Sequence, residues 1–228
     1  MNKLKTEKVF VVIPAYNEEH RLPGTIRRLK KYHPLSQTIV VDDGSKVPIQ
    51  NFLPSDVIVA RHRVNMEKGN ALKTGCELAI KKGARVIVLM DADGQHDPKE
   101  IPAMLKKLYQ GYDIVFGARY IGQGMPAWRL VGNRFLNYYA GYLFGLHLHD
   151  IWCGFRVFKT QIYPDIVWNS SNYSSDVEMA VNVGRKKIIH AEHFVGTIYH
   201  DKGSVTGTTL HDGLKLLADL TIWRLGKI

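Results

Sequence analysis

The sequence predicts an α/β fold: an open, mostly parallel central sheet with helices on both faces. Three observations carry this expectation. Short runs of Val, Ile, Leu and Phe alternate with amphipathic segments between residues 9 and 117, the order produced when each strand is followed by a crossover helix. The runs are apolar throughout rather than at every second position, which marks strands buried on both faces. Polar clusters, Tyr16-Asn17-Glu18, Asp42-Asp43 and Asp91 to Gln95, each follow one of these runs, and such sheets collect ligands beyond the carboxyl ends of their strands.

In chain order, Val9 to Ile13 is a strand closed by Pro14, and Glu18 to Lys31 a helix with Leu22, Ile26 and Leu29 at helical spacing. Thr38 to Val41 and Val57 to Ala60 are strands, and Gly69 to Lys82 is a helix that turns Leu72, Cys76, Ala79 and Ile80 inward. Val86 to Met90 is the most apolar run; a helix from Pro98 to Tyr109 and a strand from Asp113 to Gly117 follow. Gly122 to Pro126 reads as a loop. From about Trp128 the pattern changes to a long aromatic-rich helix, then a short strand from Cys153 to Lys159. Ser174 and Ser175 are expected to cap a helix running to about Val183. A strand from Ile188 to Tyr199 and a helix from about Thr208 to Leu225 complete the chain.

At 228 residues, 45% hydrophobic and 23% charged, the chain suits one folded domain with a substantial core. We expect residues 1–120 to form one half and 121–228 a second, less regular half of that domain. The net charge of +10 and pI near 9.5 call for acidic partners: nucleic acid, an anionic membrane surface or phosphorylated small molecules. The cations are dispersed and match no helix-turn-helix, zinc-finger or RNP pattern, so nucleic acid is the remote alternative. Cys76 and Cys153 lack metal-ligand spacing and are too few for a disulfide framework, as in a reducing, cytoplasmic setting. The basic start and the short apolar run ending at Pro14 predict no signal peptide. The longest uncharged stretch, Phe135 to His149, is shorter than the ~20 residues that span a bilayer.

No Gly-x-Gly-x-x-Gly follows the first strand and there is no phosphate-loop lysine motif, which argues against a dinucleotide-binding fold and a phosphate-loop NTPase. Asp91 and Asp93, two apart on extended chain, project to the same side. Paired hard oxygens suit Mg²⁺ or Mn²⁺ when a substrate phosphate completes the shell, and Gln95 offers a third oxygen. The same stretch also reads as a turn, with Asp97 capping a helix that has Pro98 at its first position. Both readings stand at this point.

Four ordered segments together resemble the family 2 glycosyltransferases of the GT-A fold: Val11-Val12-Ile13-Pro14-Ala15-Tyr16-Asn17-Glu18-Glu19, Val40-Val41-Asp42-Asp43-Gly44-Ser45, Asn65 through Lys68-Gly69, and Asp91-Ala92-Asp93. Gln95-His96-Asp97-Pro98, Gly117-Ala118-Arg119-Tyr120, Gly132-Asn133-Arg134 and Asp150 through Gly154-Phe155-Arg156 are similar to the dolichyl-phosphate mannosyltransferase and polyprenyl-phosphate glucosyltransferase branch. The resemblance runs from Val9 to about His200. Longer members of this branch carry transmembrane helices after the catalytic domain, which are not expected here.

The resemblance implies a nucleotide-sugar donor whose base and ribose are held by Pro14, Ala15, Tyr16 and Glu18, with Asp43 reaching the base. Lys68 would lie near the diphosphate, beside Ala92. Asp91, Asp93 and Gln95 would be the metal ligands, with Asp93 at the reacting centre and Mg²⁺ or Mn²⁺ as the cofactor. On their own chemistry, Glu18 can accept from ribose hydroxyls and Asp43 from a ring N–H; Glu18 equally suits a helix start, and Asp42 to Ser45 a plain turn.

In this branch the acceptor is a polyprenyl (dolichyl) phosphate. An anionic oxygen needs no strong general base, only cations that hold and align it. Arg119 and Arg134 match the family's arginines; Arg129, Arg156 and Lys202 are looser matches. Lys202 and His200 fall in the segment Tyr199 to Ser204, where the family has a loop that closes on the donor. Asp176 and Glu178 occupy the region where family members that glycosylate hydroxyls carry a base, and Glu178 is the candidate. A carbohydrate hydroxyl as acceptor is the alternative reading. The remaining histidines show no regular metal spacing. Phe135, Tyr138, Tyr139, Tyr142, Leu143 and Phe144, with Leu210, Leu214, Leu217, Trp223, Arg224 and Lys227, suit either core helices or peripheral attachment to an anionic, cytoplasmic membrane surface. No membrane-protein partner is identifiable.

Overall fold

The computed structural model describes residues 8–119, 127–196 and 210–226. Seven strands form one sheet: β1 (Val9–Ala15), β2 (Thr38–Asp42), β3 (Ile58–Arg61), β4 (Val86–Leu89), β5 (Ile114–Arg119), β6 (Arg156–Lys159) and β7 (His190–Val195), in the order β3-β2-β1-β4-β6-β5-β7. All neighbours run parallel except β6, which is antiparallel to both β4 and β5. Among the described residues seven α-helices accompany it: α1 (Leu22–Leu29), α2 (Lys68–Lys81), α3 (Ile101–Leu108), α4 (Ala127–Phe144), α5 (Tyr163–Ile166), α6 (Ser174–Arg185) and α7 (Leu210–Leu225).

Alternation along each strand divides the core between the two faces. Val9, Val11 and Ile13 of β1, with Val86 and Val88 of β4, pack against Leu22, Ile26 and Leu29 of α1 and Ile101, Met104 and Leu108 of α3. The intervening Phe10, Val12, Ile87 and Leu89 face α2, α4, α6 and α7 through residues such as Leu72, Cys76, Leu136, Val181 and Leu220. A fully buried aliphatic side chain contributes roughly 1.5–3 kcal/mol, so each apolar residue of the fully buried β1 and β4 is stabilising on one face or the other. That is why the runs carry no polar alternation.

Three boundaries differ from the sequence expectation. α1 starts at Leu22, not Glu18, because Asn17 is left-handed (φ 54) and Pro23 suits only the first turn; residues 18–21 form a turn closed on the Glu18 carbonyl. Ser174 and Ser175 do not cap α6. Asn172 does so from outside the helix, its Oδ1 accepting from the Ser174 N–H at 2.8 Å. β6 begins at Arg156 rather than Cys153, because the buried Arg156 guanidinium donates to the Cys153 and Ile151 carbonyls and holds that approach as a loop. Asp97 does cap the turn at Pro98, accepting from the Lys99 N–H at 3.1 Å. The expected loop at Gly122 to Pro126 lies outside the described residues, as do the end of the strand drawn to Tyr199 and the first residues of the last helix. No helix among the described residues is long and apolar enough to cross a membrane.

Candidate active site

The carboxyl ends of β1, β2 and β4 meet the start of α2 and the loop before α6 around a cleft of about 400 Å³. Pro14, Ala15, Tyr16, Glu18, Asp43, Lys68, Asp91, Ala92 and Asp93, all expected from the sequence, line it. Asn65, Glu67, Ala71, Asn172 and Tyr173 complete the wall.

The adjacent carboxylates Asp42 and Asp43 have different roles. Asp42 faces inward: Oδ1 accepts from the Ser45 N–H (2.9 Å), while Oδ2 accepts from the Ile49 N–H (3.2 Å) and from Arg61. It builds the loop. Asp43 faces the cleft, with Oδ1 accepting from the Met66 N–H at 2.9 Å and paired with His62 Nδ1 at 2.7 Å. Gly44 allows this packing, because it is left-handed (φ +74) and a Cβ there would fall 2.7 Å from the Asn65 nitrogen. Across the cleft, Glu18 binds Arg21 through both oxygens, at 2.7 and 2.8 Å. Burial raises the Glu18 pKa, opposed by the Arg21 hydrogen bond and charge.

Lys68 lies between two carboxylates, 2.8 Å from Asp91 Oδ1 and 2.9 Å from Asp176 Oδ2, over the Tyr173 ring. Burial works against its charge, but the two carboxylates outweigh that and hold its pKa above the ordinary lysine value. For Asp91 burial pushes upward; Lys68 foremost, with His96 and Arg119, reverses it and brings the carboxyl down to about 2. The buried His96 is held below the usual imidazole value by desolvation, stacks on Phe155 and accepts the Asp91 N–H at Nδ1. α1 fixes the same turn, since Thr25 Oγ1 donates to the Ala92 carbonyl and Arg28 to the Gly94 carbonyl.

Asp93 lines the cleft, and among the described residues only the Gln95 N–H meets its Oδ1, at 2.9 Å. Two carboxylates, one of them paired with a lysine, make an incomplete ion shell, and the described residues contain no cluster of three or more His, Cys, Asp or Glu placed to hold a metal. The donor set fits a hard divalent ion whose remaining ligands are substrate phosphates and water, the manner in which Mg²⁺ is commonly held. Gln95 is placed beside Asp93 through its backbone.

The loop 167–173 is clamped on the start of α2. Trp168 Nε1 donates to the Gly69 carbonyl (3.0 Å), the Gly69 N–H donates to the Ser171 carbonyl (2.5 Å), and Ser171 Oγ donates to Glu67. Glu178 is spent on this loop: Oε1 accepts from the Asn169 N–H, and Oε2 from the Ser170 N–H and hydroxyl. The structure therefore brings Glu178 to the back of the loop and not to the cleft wall, and commits Asp176 to Lys68.

A second cavity of about 460 Å³ is lined by Arg119, Arg134, Asn137, Tyr138, His147, Leu148, His149 and Phe194. Arg119 is held by Asp150 through Nε (2.6 Å) and Nη2 (2.9 Å). Burial lowers its pKa and Asp150 more than restores it, while its field helps depress Asp91 in the first cleft. Arg156 is fully buried against Phe116 and belongs to the core. Lys202, His200 and the Arg129 side chain lie outside the described residues.

Sequence reasoning missed Asn172, Tyr173, His147 and His149 as wall residues. No local pattern marks them; only the long-range clamp between Trp168 and Gly69 brings the first two to the cleft.

Comparison with known proteins agrees with this geometry. Residues 10–167 match the family model described as glycosyl transferase family 2. The chain is 31% identical to a polyprenol monophosphomannose synthase of Mycolicibacterium smegmatis over 78% of this chain and 74% of that protein. It is 26% identical to a UDP-N-acetylglucosamine–dolichyl-phosphate N-acetylglucosaminyltransferase of Methanococcus voltae, covering 96% and 97%. The fold is shared with glucosyl-3-phosphoglycerate synthase of Mycobacterium tuberculosis, solved with Mn²⁺, UDP and phosphoglyceric acid: TM-score 0.72, 17% identity, 97% of this chain and 79% of that one. The mostly parallel sheet is thus that of the GT-A glycosyltransferases, and the chain belongs to glycosyl transferase family 2.

Proposed function

We propose that this glycosyltransferase is inverting and metal-dependent, and moves a hexose from a nucleotide-sugar such as GDP-mannose or UDP-glucose to a polyprenyl phosphate. The observation that carries the acceptor assignment is the second cavity: its described wall offers Arg119, Arg134, His147 and His149, of which Arg119 is held by Asp150 and His149 by Glu192, leaving Arg134 and His147 to meet an anion. An anion fits that lining and a neutral hydroxyl awaiting deprotonation does not, because Glu178 is taken up by the 167–173 loop. The mycobacterial relative, named for a polyprenol monophosphomannose product, and the methanococcal one, named for transfer to dolichyl phosphate, support the same reading.

In this scheme Tyr16 and Asp43 hold the base and Glu18 the ribose, and Asp93 with Asp91 would hold a divalent ion beside the diphosphate. Such an ion would supply positive charge for the departing nucleoside diphosphate. Lys68 fixes the direction of Asp91 and keeps it ionised. Arg134 and Arg119, which line the same cavity, align the acceptor phosphate for attack on the anomeric carbon from the face opposite the leaving group, which inverts it. Residues 1–120 supply most of the donor side and residues 121–228 most of the acceptor side of one domain, with Asn172 and Tyr173 crossing to the donor cleft and Arg119 to the second cavity. The lipid acceptor places the protein peripherally at the cytoplasmic face of a membrane.

The test is a panel of radiolabelled nucleotide-sugars incubated with the protein, Mg²⁺ or Mn²⁺ and polyprenyl phosphate. Lipid-extractable label that disappears with EDTA is expected; no label from any donor contradicts the proposal.

A further inference from the structure

His149 and Asp150 are adjacent in the chain, and the fold gives them partners of opposite charge. Asp150 is buried and binds Arg119 at the end of β5, accepting from Nε at 2.6 Å and from Nη2 at 2.9 Å. His149 is exposed and meets Glu192 of β7, whose Oε1 accepts from the His149 N–H and whose Oε2 pairs with Nδ1, both at 2.7 Å. β5 and β7 are neighbours in the sheet, with Phe116 opposite Glu192. Arg119 and His149 therefore reach the wall of the same second cavity.

This arrangement fixes which nitrogen is offered to a ligand. An ionised carboxylate only accepts, so Nδ1 carries a proton. Glu192 thus holds the ring by one nitrogen, and Nε2 has no partner among the described residues. The ring itself lines the cavity, and Phe194, also in the wall, leans on it with 5.3 Å between centroids. Asn137 of α4 donates to the His149 carbonyl. A side chain 70% exposed is thereby held at its backbone, its face and one nitrogen, which orients the other nitrogen for a ligand.

Charge decides what that ligand is. A neutral imidazole turns a lone pair at Nε2 towards an incoming phosphate oxygen, and the two repel. An imidazolium donates to it instead, in a charge-assisted hydrogen bond. The groups that face His149 are Glu192 from β7, the Asp150–Arg119 pair between its own loop and β5, and Arg134, Tyr138 and His147 from the cavity wall. Asp150 and Arg119 offset each other, so Glu192 is what favours the imidazolium against the remaining cation.

We propose that His149 is a further ligand of the acceptor phosphate, taking a proton from solvent as the phosphate binds, with Glu192 as the residue that positions it. This rests on the second cavity being the acceptor site. It goes further by making acceptor binding proton-linked.

Titration calorimetry of the full chain with geranyl phosphate tests this at about pH 8, where a phosphate monoester is already a dianion. The binding enthalpy should differ between HEPES and Tris in the sense of proton uptake. His149→Asn should weaken binding by about tenfold, the scale of one hydrogen bond to a charged group, and should remove the difference between buffers. His147→Asn should keep that difference. Glu192→Gln, whose amide oxygen still accepts the His149 N–H, should reduce it. Uptake that survives His149→Asn or is absent from the unaltered chain, or binding that His149→Asn leaves unchanged, overturns the inference and leaves the acceptor site standing. Failure of the unaltered chain to bind geranyl phosphate overturns both.

Discussion

Lys68 shows how a single residue joins stability to chemistry. Its ammonium is buried between Asp91 and Asp176, and removing one partner of a buried ion cluster leaves uncompensated charge at a cost of about 3–5 kcal/mol. Lys68→Met should lower the unfolding midpoint accordingly. The pH dependence follows from Asp91, whose carboxyl lies at about 2 in the fold against 3.8 when free. Its contribution is complete above the free value and is lost as pH falls from about 4 to about 2; in Lys68→Met that acid limb should flatten. His33 behaves differently. Burial holds its pKa below 6.5, with the Gln37 carbonyl opposing only in part, so the unfolded chain takes up a proton that the fold refuses. Stability should therefore decline as pH drops below about 6.5, and His33→Gln should reduce that slope in pH-dependent thermal melts. The acidic site residues were legible in the sequence because each follows an apolar run. Their division of labour was not, since Asp42 and Asp43 are identical in one dimension and differ only in which donors surround them.

At the scale of elements, the site depends on the close approach of α2 to the loop before α6. A Cβ on Gly69 would lie 2.6 Å from the Ser171 carbonyl oxygen and nearer still to that of Ser170, both of them backbone atoms that cannot swing aside. Gly69→Ala should therefore push the loop outward, break the bond from Trp168 to the Gly69 carbonyl and move Asn172 and Tyr173 away from the cleft. We expect a destabilisation of about 1–3 kcal/mol and a raised KM for the nucleotide-sugar, read from steady-state kinetics; unchanged values would contradict the clamp. Most strands and helices were readable from the alternation of apolar runs and amphipathic segments. β6 being antiparallel was not, because strand direction depends on where the chain re-enters the sheet between β4 and β5. The Glu178 assignment turned on the same kind of distance: an acid in the first turns of a helix looks available in sequence, but the folded loop supplies three donors to it.

Across the whole molecule, the basic net charge of +10 and one helix face fit the proposed lipid acceptor. Val131, Phe135, Tyr138 and Tyr142 are exposed along α4, the two tyrosines at 74% each, and Tyr138 also borders the second cavity. α7 packs on α4, with Tyr139 Oη 2.9 Å from Thr221 Oγ1, and carries exposed Ile222, Leu225 and Arg224. Under the proposed function this stripe meets the membrane. Co-sedimentation with vesicles containing phosphatidylglycerol should be salt-sensitive and should drop severalfold in Tyr138→Ser/Tyr142→Ser; no binding by the unaltered chain would contradict it. The sequence disclosed these aromatics but not which of them are buried, because Leu136 and Ala140 occupy the core side of the same helix and only packing separates the two faces. The central claim is that an anionic acceptor replaces a catalytic base, and it is tested most directly by supplying the same labelled donor with polyprenyl phosphate or with the corresponding free polyprenol. Transfer to the phosphate alone is the predicted result. Transfer to the free hydroxyl at a comparable rate would contradict the account.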